Sequence, residues 1–133
     1  MHTVFDTSAV VPLLFVEPHS EAAHRAWVEV EGHRLAWRWL KVEAMAALTR
    51  RRASAKVWQN WERLESQLNW IELPDREIEA LCRFNRNLGL RAADAAHLFV
   101  ADRLAHSLNP LSLASFDKEM RRGAEELGLS LAC

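Results

Sequence analysis

The sequence predicts an α/β protein, a three-layer α/β/α sandwich around a mainly parallel central sheet of four to five strands. Short apolar runs alternate with longer segments of helical periodicity along the whole chain. Strands that are separated by helices predict a parallel sheet with both faces covered. The chain has 133 residues and shows no linker, repeat or low-complexity tract, which predicts a single domain over residues 1–133.

The N-terminal half opens with a predicted strand whose end is marked by potential helix caps, Asp6, Thr7 and Ser8. Pro18 and Gly32 bracket a helical pattern, and Ser54 is a predicted cap for a further helix with an apolar stripe. The strands predicted in this half are residues 2–6, 35–37 and 70–73, and the helices after the first strand are predicted at residues 19–31, 40–52 and after Ser54.

The C-terminal half starts with a segment that begins with Pro74 and ends with Gly89, the asymmetry typical of a helix. An alanine-rich helix and a further apolar run follow, before Gly128 introduces the last strand. The helices predicted here are residues 74–89, 91–108 and 117–127, and the strands are residues 111–115 and 129–132.

Composition and charge exclude several classes of protein. Half of the residues are hydrophobic and 26% are charged, as in ordinary globular domains, and the net charge of -1 argues against a protein that coats DNA through bulk positive charge. Cys82 and Cys133 form neither a disulfide framework nor a zinc motif. The first residues lack a basic leader, and the apolar run 9–16 contains Pro12 and is too short to cross a bilayer. We therefore expect a cytoplasmic protein without a membrane segment.

Four acids stand out because apolar or small residues surround them: Asp6, Glu43, Asp94 and Asp117. Asp6 and Asp117 follow predicted strands directly, while Glu43 and Asp94 lie near the starts of helices that can cover the same edge. In open α/β sheets, functional groups gather beyond the carboxyl ends of the strands. Carboxylates that converge there repel one another unless a divalent cation is present, and oxygen ligation suits Mg²⁺ or Mn²⁺. The pattern indicates metal-assisted phosphodiester hydrolysis.

Each acid also has an ordinary structural interpretation. Asp6 and Asp117 are suitable helix caps, and Glu43 fits a surface residue paired with a basic neighbour. Asp94 has Arg91 or His97 as its only evident local partners. At this point both interpretations stay open, although the four acids together weigh more than any one of them.

The chain resembles the PIN-domain ribonucleases, and specifically the VapC-type toxins of prokaryotic toxin–antitoxin pairs. The resemblance covers almost the whole sequence and rests on four segments, VFDTSAVVPLL, KVEAMAAL, LRAADAAHLFVA and ASFDKEM. The family's acidic positions fall on Asp6, Glu43, Asp94 and Asp117. Two departures are visible. Trp37, Arg38 and Trp39 stand where family members often have Ser or Thr with Pro, and Ser115 stands where Thr is more common.

The resemblance implies a metal-dependent endoribonuclease, the toxin component of a VapBC-type system, with Mg²⁺ (or Mn²⁺) as cofactor and RNA as substrate. It implies Asp6 and Asp94 as principal metal ligands, with Glu43 and Asp117 completing the catalytic pocket by orienting the attacking water or by holding a second metal ion. Supporting or substrate-contacting roles then fall on Thr7, Ser8, Ser115 and Arg91. The resemblance also implies a homodimer and a cognate antitoxin protein that obstructs the site.

Two other functions remain open at this stage. One is another α/β metal-dependent phosphohydrolase, although Ser8 replaces the second Asp of a haloacid-dehalogenase-like motif and no P-loop is present. The other is a catalytically silent PIN-like module that binds RNA or protein. The tryptophans are expected in the core, with an exposed pair of Trp58 and Trp61 as an alternative contact for a partner.

Overall fold

The structure, a computed structural model, describes all residues 1–133. The fold has five strands and seven α-helices. The sequence pattern predicts the five strands and six of the helices, and the helix that directly follows the first strand is additional. The strands are β1 (His2–Phe5), β2 (Arg34–Trp37), β3 (Asn69–Ile71), β4 (Leu111–Ala114) and β5 (Ser130–Leu131). The helices are α1 (Thr7–Leu14), α2 (Ser20–Val28), α3 (Trp39–Arg50), α4 (Ala55–Ser66), α5 (Ile78–Leu88), α6 (Ala92–Ala105) and α7 (Lys118–Glu126), with a 3₁₀ turn at Asp75–Glu77 before α5.

The five strands form one parallel sheet in the order β3-β2-β1-β4-β5. β1 is central and pairs with β2 through Val4 and Leu35 and with β4 through Val4 and Leu113. The chain builds the sheet outward from β1 on one side and then returns to build the other side from β4. The carboxyl ends of β1 and β4 therefore flank the topological switch point, where open α/β sheets bind their ligands.

Alternating side chains of the strands enter two separate cores, which confirms the predicted three-layer sandwich. Phe5 of β1 packs with α1 to α4 on one face, and its neighbour Val4 packs with α5 to α7 on the other. Both residues are fully buried. A strand with apolar side chains on both faces needs helices packed on both faces to bury them. Here α3 packs on the face of Phe5, and α6 packs on the face of Val4.

The tryptophans lie mostly in the core, as expected. Trp27 and Trp61 belong to the core on the α1 to α4 face. The alternative of an exposed Trp58 and Trp61 pair is wrong, because Trp61 is 1% exposed and contacts Trp70 edge to face. The exception is Trp39, which is 48% exposed at the start of α3.

Side-chain caps explain where several elements begin and end. Ser54 accepts a hydrogen bond from the Val57 amide at the start of α4, as predicted. Gly89 ends α5 with φ of 65°, a left-handed conformation that glycine adopts without strain.

Cys82 and Cys133 are free thiols, as the sequence predicts. None of the helices combines the length and the apolar character that a membrane crossing requires.

Candidate active site

Asp6 and Asp117 follow β1 and β4, the two strands that flank the switch point of the sheet. Each residue leaves its strand to cap the next helix: Asp6 Oδ1 accepts from the Ala9 amide at 3.2 Å, and Asp117 Oδ1 accepts from the Met120 amide at 2.8 Å. The capping interpretation is therefore correct for both. It does not exclude a second role, because each carboxylate has an oxygen that these amides do not use.

Asp6 is the most enclosed of the four acids, with 3% of its surface exposed. Ser8 donates a 2.6 Å hydrogen bond to Oδ1, and Ser115 donates one of 2.6 Å to Oδ2. Burial raises the pKa of Asp6, and the hydrogen bonds from Ser115 and Ser8 oppose that rise. The two hydroxyls therefore hold a carboxyl group whose negative charge is poorly solvated.

The same hydroxyls tie the neighbouring backbone together. Ser8 Oγ accepts from the Phe116 amide at 2.9 Å, and Ser115 Oγ accepts from the Asp117 amide at 3.2 Å. The Oγ atoms of Ser8 and Ser115 are 3.4 Å apart. The start of α1 and the segment after β4 are therefore joined by a hydroxyl network centred on Asp6.

Glu43 lies on α3, which packs on the face of the sheet opposite to α6. Its Oε1 accepts two hydrogen bonds, from Thr7 Oγ1 at 2.8 Å and from His97 Nε2 at 2.7 Å. Burial by itself raises the pKa of Glu43, but the hydrogen bond and the charge of His97, with the hydrogen bond from Thr7, bring it below its usual value. Glu43 is thus an ionised, half-buried carboxylate, and it has the basic partner that the ordinary structural interpretation expected, in the form of His97.

Asp94 lies in the first turn of α6, where it accepts no hydrogen bond from the protein and forms no ion pair with Lys or Arg. Burial raises the pKa of Asp94, and the negative charge of Asp117 raises it further. The charge of His97 opposes this rise, while Glu43 adds a smaller increase and Arg91 a still smaller decrease. Asp94 is therefore the acid on which the charges of Asp117 and Glu43 both act, at the same edge of the sheet.

The supporting residues predicted from sequence are also at this edge. Thr7 contacts Glu43, while Ser8 and Ser115 contact Asp6. Arg91 is exposed at the start of α6 and makes no hydrogen bond with an acid, although its charge acts on Asp94.

Sequence reasoning missed the contact between His97 and Glu43. The two residues are separated by 54 positions in the chain, and their helices cover opposite faces of the sheet. The spacing of one turn between Asp94 and His97 was the available signal, since it places both side chains on neighbouring parts of one helix face.

The donor set fits a divalent cation of the Mg²⁺ or Mn²⁺ type. All candidate ligands are carboxylate oxygens, and no Lys or Arg forms an ion pair with any of the four acids. The structure shows no group of three or more His, Cys, Asp or Glu side chains drawn together as a ready ligand set. Since Mg²⁺ keeps several waters and binds through one or two carboxylates, such a cation does not require a closed protein cage.

Comparisons with known proteins agree with this architecture. The family model of the PIN domain matches residues 3–126. Among solved structures, the chain is similar to the crystal structure of PAE2754 from Pyrobaculum aerophilum, with a TM-score of 0.68, 20% identity, and coverage of 92% of this chain and 84% of that chain. At that identity the likeness concerns the fold alone. No curated protein matches the sequence.

Proposed function

The chain belongs to the PIN domain family, and we propose that it is a metal-dependent endoribonuclease that hydrolyses RNA phosphodiester bonds. PIN domains are generally nucleases, so the fold already suggests the reaction class. The observation that carries the proposal is the position of Asp6 and Asp117 directly after β1 and β4, with Asp94 nearby, unpaired by any protein donor and repelled by the charges of Asp117 and Glu43. Uncompensated carboxylates at this position are costly to a fold and suited to binding a cation.

Asp6 and Asp94 are the proposed principal ligands, with Glu43 and Asp117 completing the pocket. The bound cation supplies Lewis-acid stabilisation of a phosphoryl oxygen and lowers the pKa of a bound water. The protein's own contribution is orientation. Ser8 and Ser115 restrict the Asp6 carboxylate, and the caps at α1 and α7 fix the chain on both sides of it.

Glu43 and Asp117 are available as further ligands of the cation and to orient the attacking water. Glu43 is held on one oxygen by Thr7 and His97, and its lowered pKa keeps it ionised, as a hydrogen-bond acceptor for water must be. Arg91 is exposed beside Asp94 and has the length and charge to contact an RNA phosphate. A near-neutral chain then holds RNA through local contacts instead of a bulk positive surface.

The biological setting that we propose is a VapBC-type toxin–antitoxin pair. In that setting the protein is cytoplasmic, forms a homodimer, and is inhibited by a cognate antitoxin that covers the acidic pocket. Support comes from the four sequence segments that resemble VapC-type toxins. A short upstream reading frame that encodes a DNA-binding, antitoxin-like protein is the expected genomic context, and its product should suppress RNA cleavage when it is purified with this chain.

The reaction is tested by incubating the purified protein with RNA in Mg²⁺, in Mn²⁺ and in excess chelator. Internal cleavage that depends on the cation supports the proposal. Cleavage that persists undiminished in chelator rejects the metal-dependent mechanism. Absence of cleavage in both cations, with RNA binding retained, supports the silent-module alternative instead.

A further inference from the structure

His97 lies in a position that the fold alone does not require. Its side chain is 2% exposed and lies on α6, one turn after Asp94. The ring of Trp37 meets the imidazole edge to face, with ring centroids 5.0 Å apart and an interplanar angle of 82°. From there its Nε2 reaches Glu43 Oε1 at 2.7 Å. This bond joins α3 and α6, the helices from opposite faces of the sheet, at the edge where the acids lie.

The direction of this bond is set by chemistry. A carboxylate oxygen only accepts hydrogen bonds, so the hydrogen must lie on His97 Nε2 in either protonation state of the ring. Thr7 donates to the same Oε1 at 2.8 Å. Both donors therefore act on one oxygen of Glu43, and the other oxygen, Oε2, is left without a protein donor.

The other ring nitrogen of His97, Nδ1, is in an unfavourable environment. His97 Nδ1 is buried and has no hydrogen-bond partner. An unpaired buried polar atom destabilises the fold, and an apolar side chain of similar size would avoid that loss of stability. The histidine is thus less suited to the core than to the contact that its Nε2 makes. Places where a chain violates a packing rule in this way are commonly functional.

We propose that His97 is a positioning residue that holds Glu43 by Oε1, together with Thr7, so that Oε2 remains free to bind a divalent cation. The inference rests on the proposed function of this site and adds to it a residue outside the four acids. His97 does not touch the cation or the RNA. It acts by restricting the rotation of Glu43, which is otherwise a flexible half-exposed side chain.

The test measures Mn²⁺ affinity by electron paramagnetic resonance, without RNA, in wild type and in His97→Leu, His97→Gln and His97→Asn. Leu removes the donor, Gln places an amide nitrogen near the position of Nε2, and Asn places one nearer Nδ1. Loss of an outer hydrogen-bond partner of this kind costs roughly 10- to 100-fold in metal affinity. We expect such a loss for Leu and Asn, and recovery to within about threefold of wild type for Gln.

A double-mutant cycle shows whether His97 acts through Glu43. In the Glu43→Gln background, His97→Leu should weaken Mn²⁺ binding by less than about twofold, because the residue it positions is no longer a carboxylate ligand. His106→Gln, an exposed substitution at the C-cap directly after the same helix, is the control and should leave the affinity unchanged. Thermal unfolding of each variant identifies any that does not fold.

The outcomes separate this proposal from the proposed function. If His97→Leu, folded as judged by its melting curve, binds Mn²⁺ as tightly as wild type, or if Gln fails to restore what Leu loses, the positioning role is overturned. If the affinities follow the expected order but the wild-type protein cleaves no RNA, the positioning role stands and the ribonuclease proposal fails. If His97→Leu weakens Mn²⁺ binding equally in the wild-type and Glu43→Gln backgrounds, His97 does not act through Glu43, and the positioning role is overturned.

Discussion

Ser115 Oγ lies 2.6 Å from Asp6 Oδ2, although 109 residues separate the two in the chain. The pairing of β1 with β4 makes this contact, because Phe5 stands opposite Ala114 and the next residue of each strand enters the same edge. Ser115 is fully buried and Asp6 nearly so. One hydroxyl thus links the two strands of the switch point through the acid that we propose as a metal ligand.

Replacing Ser115 by Ala should lower the free energy of unfolding by about 1.5–3 kcal/mol, the range for a hydrogen bond to a charged group. The variant also removes the acceptor of the Asp117 amide. Ser112→Ala is the matched control, because Ser112 is buried on β4, three residues before Ser115, and forms a neutral 3.0 Å hydroxyl contact with Thr3. Urea denaturation should show a smaller loss for Ser112→Ala, of about 0.5–1.5 kcal/mol. A larger loss at Ser112 than at Ser115 would contradict the role given to the Ser115 hydroxyl.

The metal-free protein should gain stability from Asp6→Asn, and the gain should increase with pH. Burial raises the pKa of Asp6 in the folded state above its unfolded value, so ionisation destabilises the fold as pH rises through the folded-state pKa. Asn does not titrate and remains an effective helix cap. Below the unfolded-state pKa of Asp6 both chains carry a neutral group, and the difference should be smallest there. Melting temperatures of both proteins in chelator, from below the unfolded-state pKa of Asp6 to above its folded-state pKa, measure this difference in stability. Each kcal/mol corresponds to roughly 3–5 °C.

The opposite trend would show that Asp6 is stabilised as an anion in the free protein. In that case the difference between Asp6→Asn and wild type falls as pH rises. Serine hydroxyls and the Ala9 amide would then outweigh burial, which reverses the balance described for this carboxyl group.

Divalent cations should raise the melting temperature of the wild-type chain, and chelator should reverse the effect. A ligand at about 100 times its dissociation constant adds about 2.7 kcal/mol to the stability of the state that binds it. Asp94→Asn should reduce this gain, because it removes one of the two ligands that we propose as principal. Asp102→Asn, on the same helix, should not. An equal cation-induced shift in all three proteins would place the binding elsewhere on the chain.

The two kinds of tryptophan should respond differently to truncation. Trp61 is buried, and Trp61→Ala should cost about 3–5 kcal/mol, as is typical of large aromatic side chains in cores. Trp39 is 48% exposed, so Trp39→Ala should cost clearly less. Chemical denaturation of both variants compares the losses. Similar losses would mean that Trp39 contributes to the core despite its exposure.

Local patterns account for most of the fold that was predictable from sequence. Caps and glycine stops are encoded within a few residues, so Ser54 and Gly89 are found where the pattern indicates. The predicted first strand is one residue too long at its end, because Asp6 leaves the strand to cap α1. The α/β/α class follows from the alternation of strands and helices, which does not depend on such details.

Contacts between distant segments could not be predicted in the same way. The acidic residues were identifiable because apolar neighbours make a carboxylate unusual. The partner of Glu43 was not identifiable, because the bond to His97 depends on how α3 and α6 meet beyond the sheet edge. Trp61 shows the same limit. A spacing of three residues indicates a shared helix face, and only the packing of α4 on the sheet decides that this face is buried.

The most direct test of the account compares RNA cleavage in Mg²⁺ by wild type, by Asp94→Asn and by Asp102→Asn, each purified to the same standard and shown to be folded. The two variants carry the same substitution on the same helix, and only Asp94 is coupled electrostatically to Asp117 and Glu43. We predict that Asp94→Asn lowers the cleavage rate by roughly 100-fold or more, because it removes a proposed ligand itself and loss of a ligand's hydrogen-bond partner already costs up to about 100-fold, while Asp102→Asn cleaves like wild type. Equal rates in all three would contradict the claim that these carboxylates form the catalytic site.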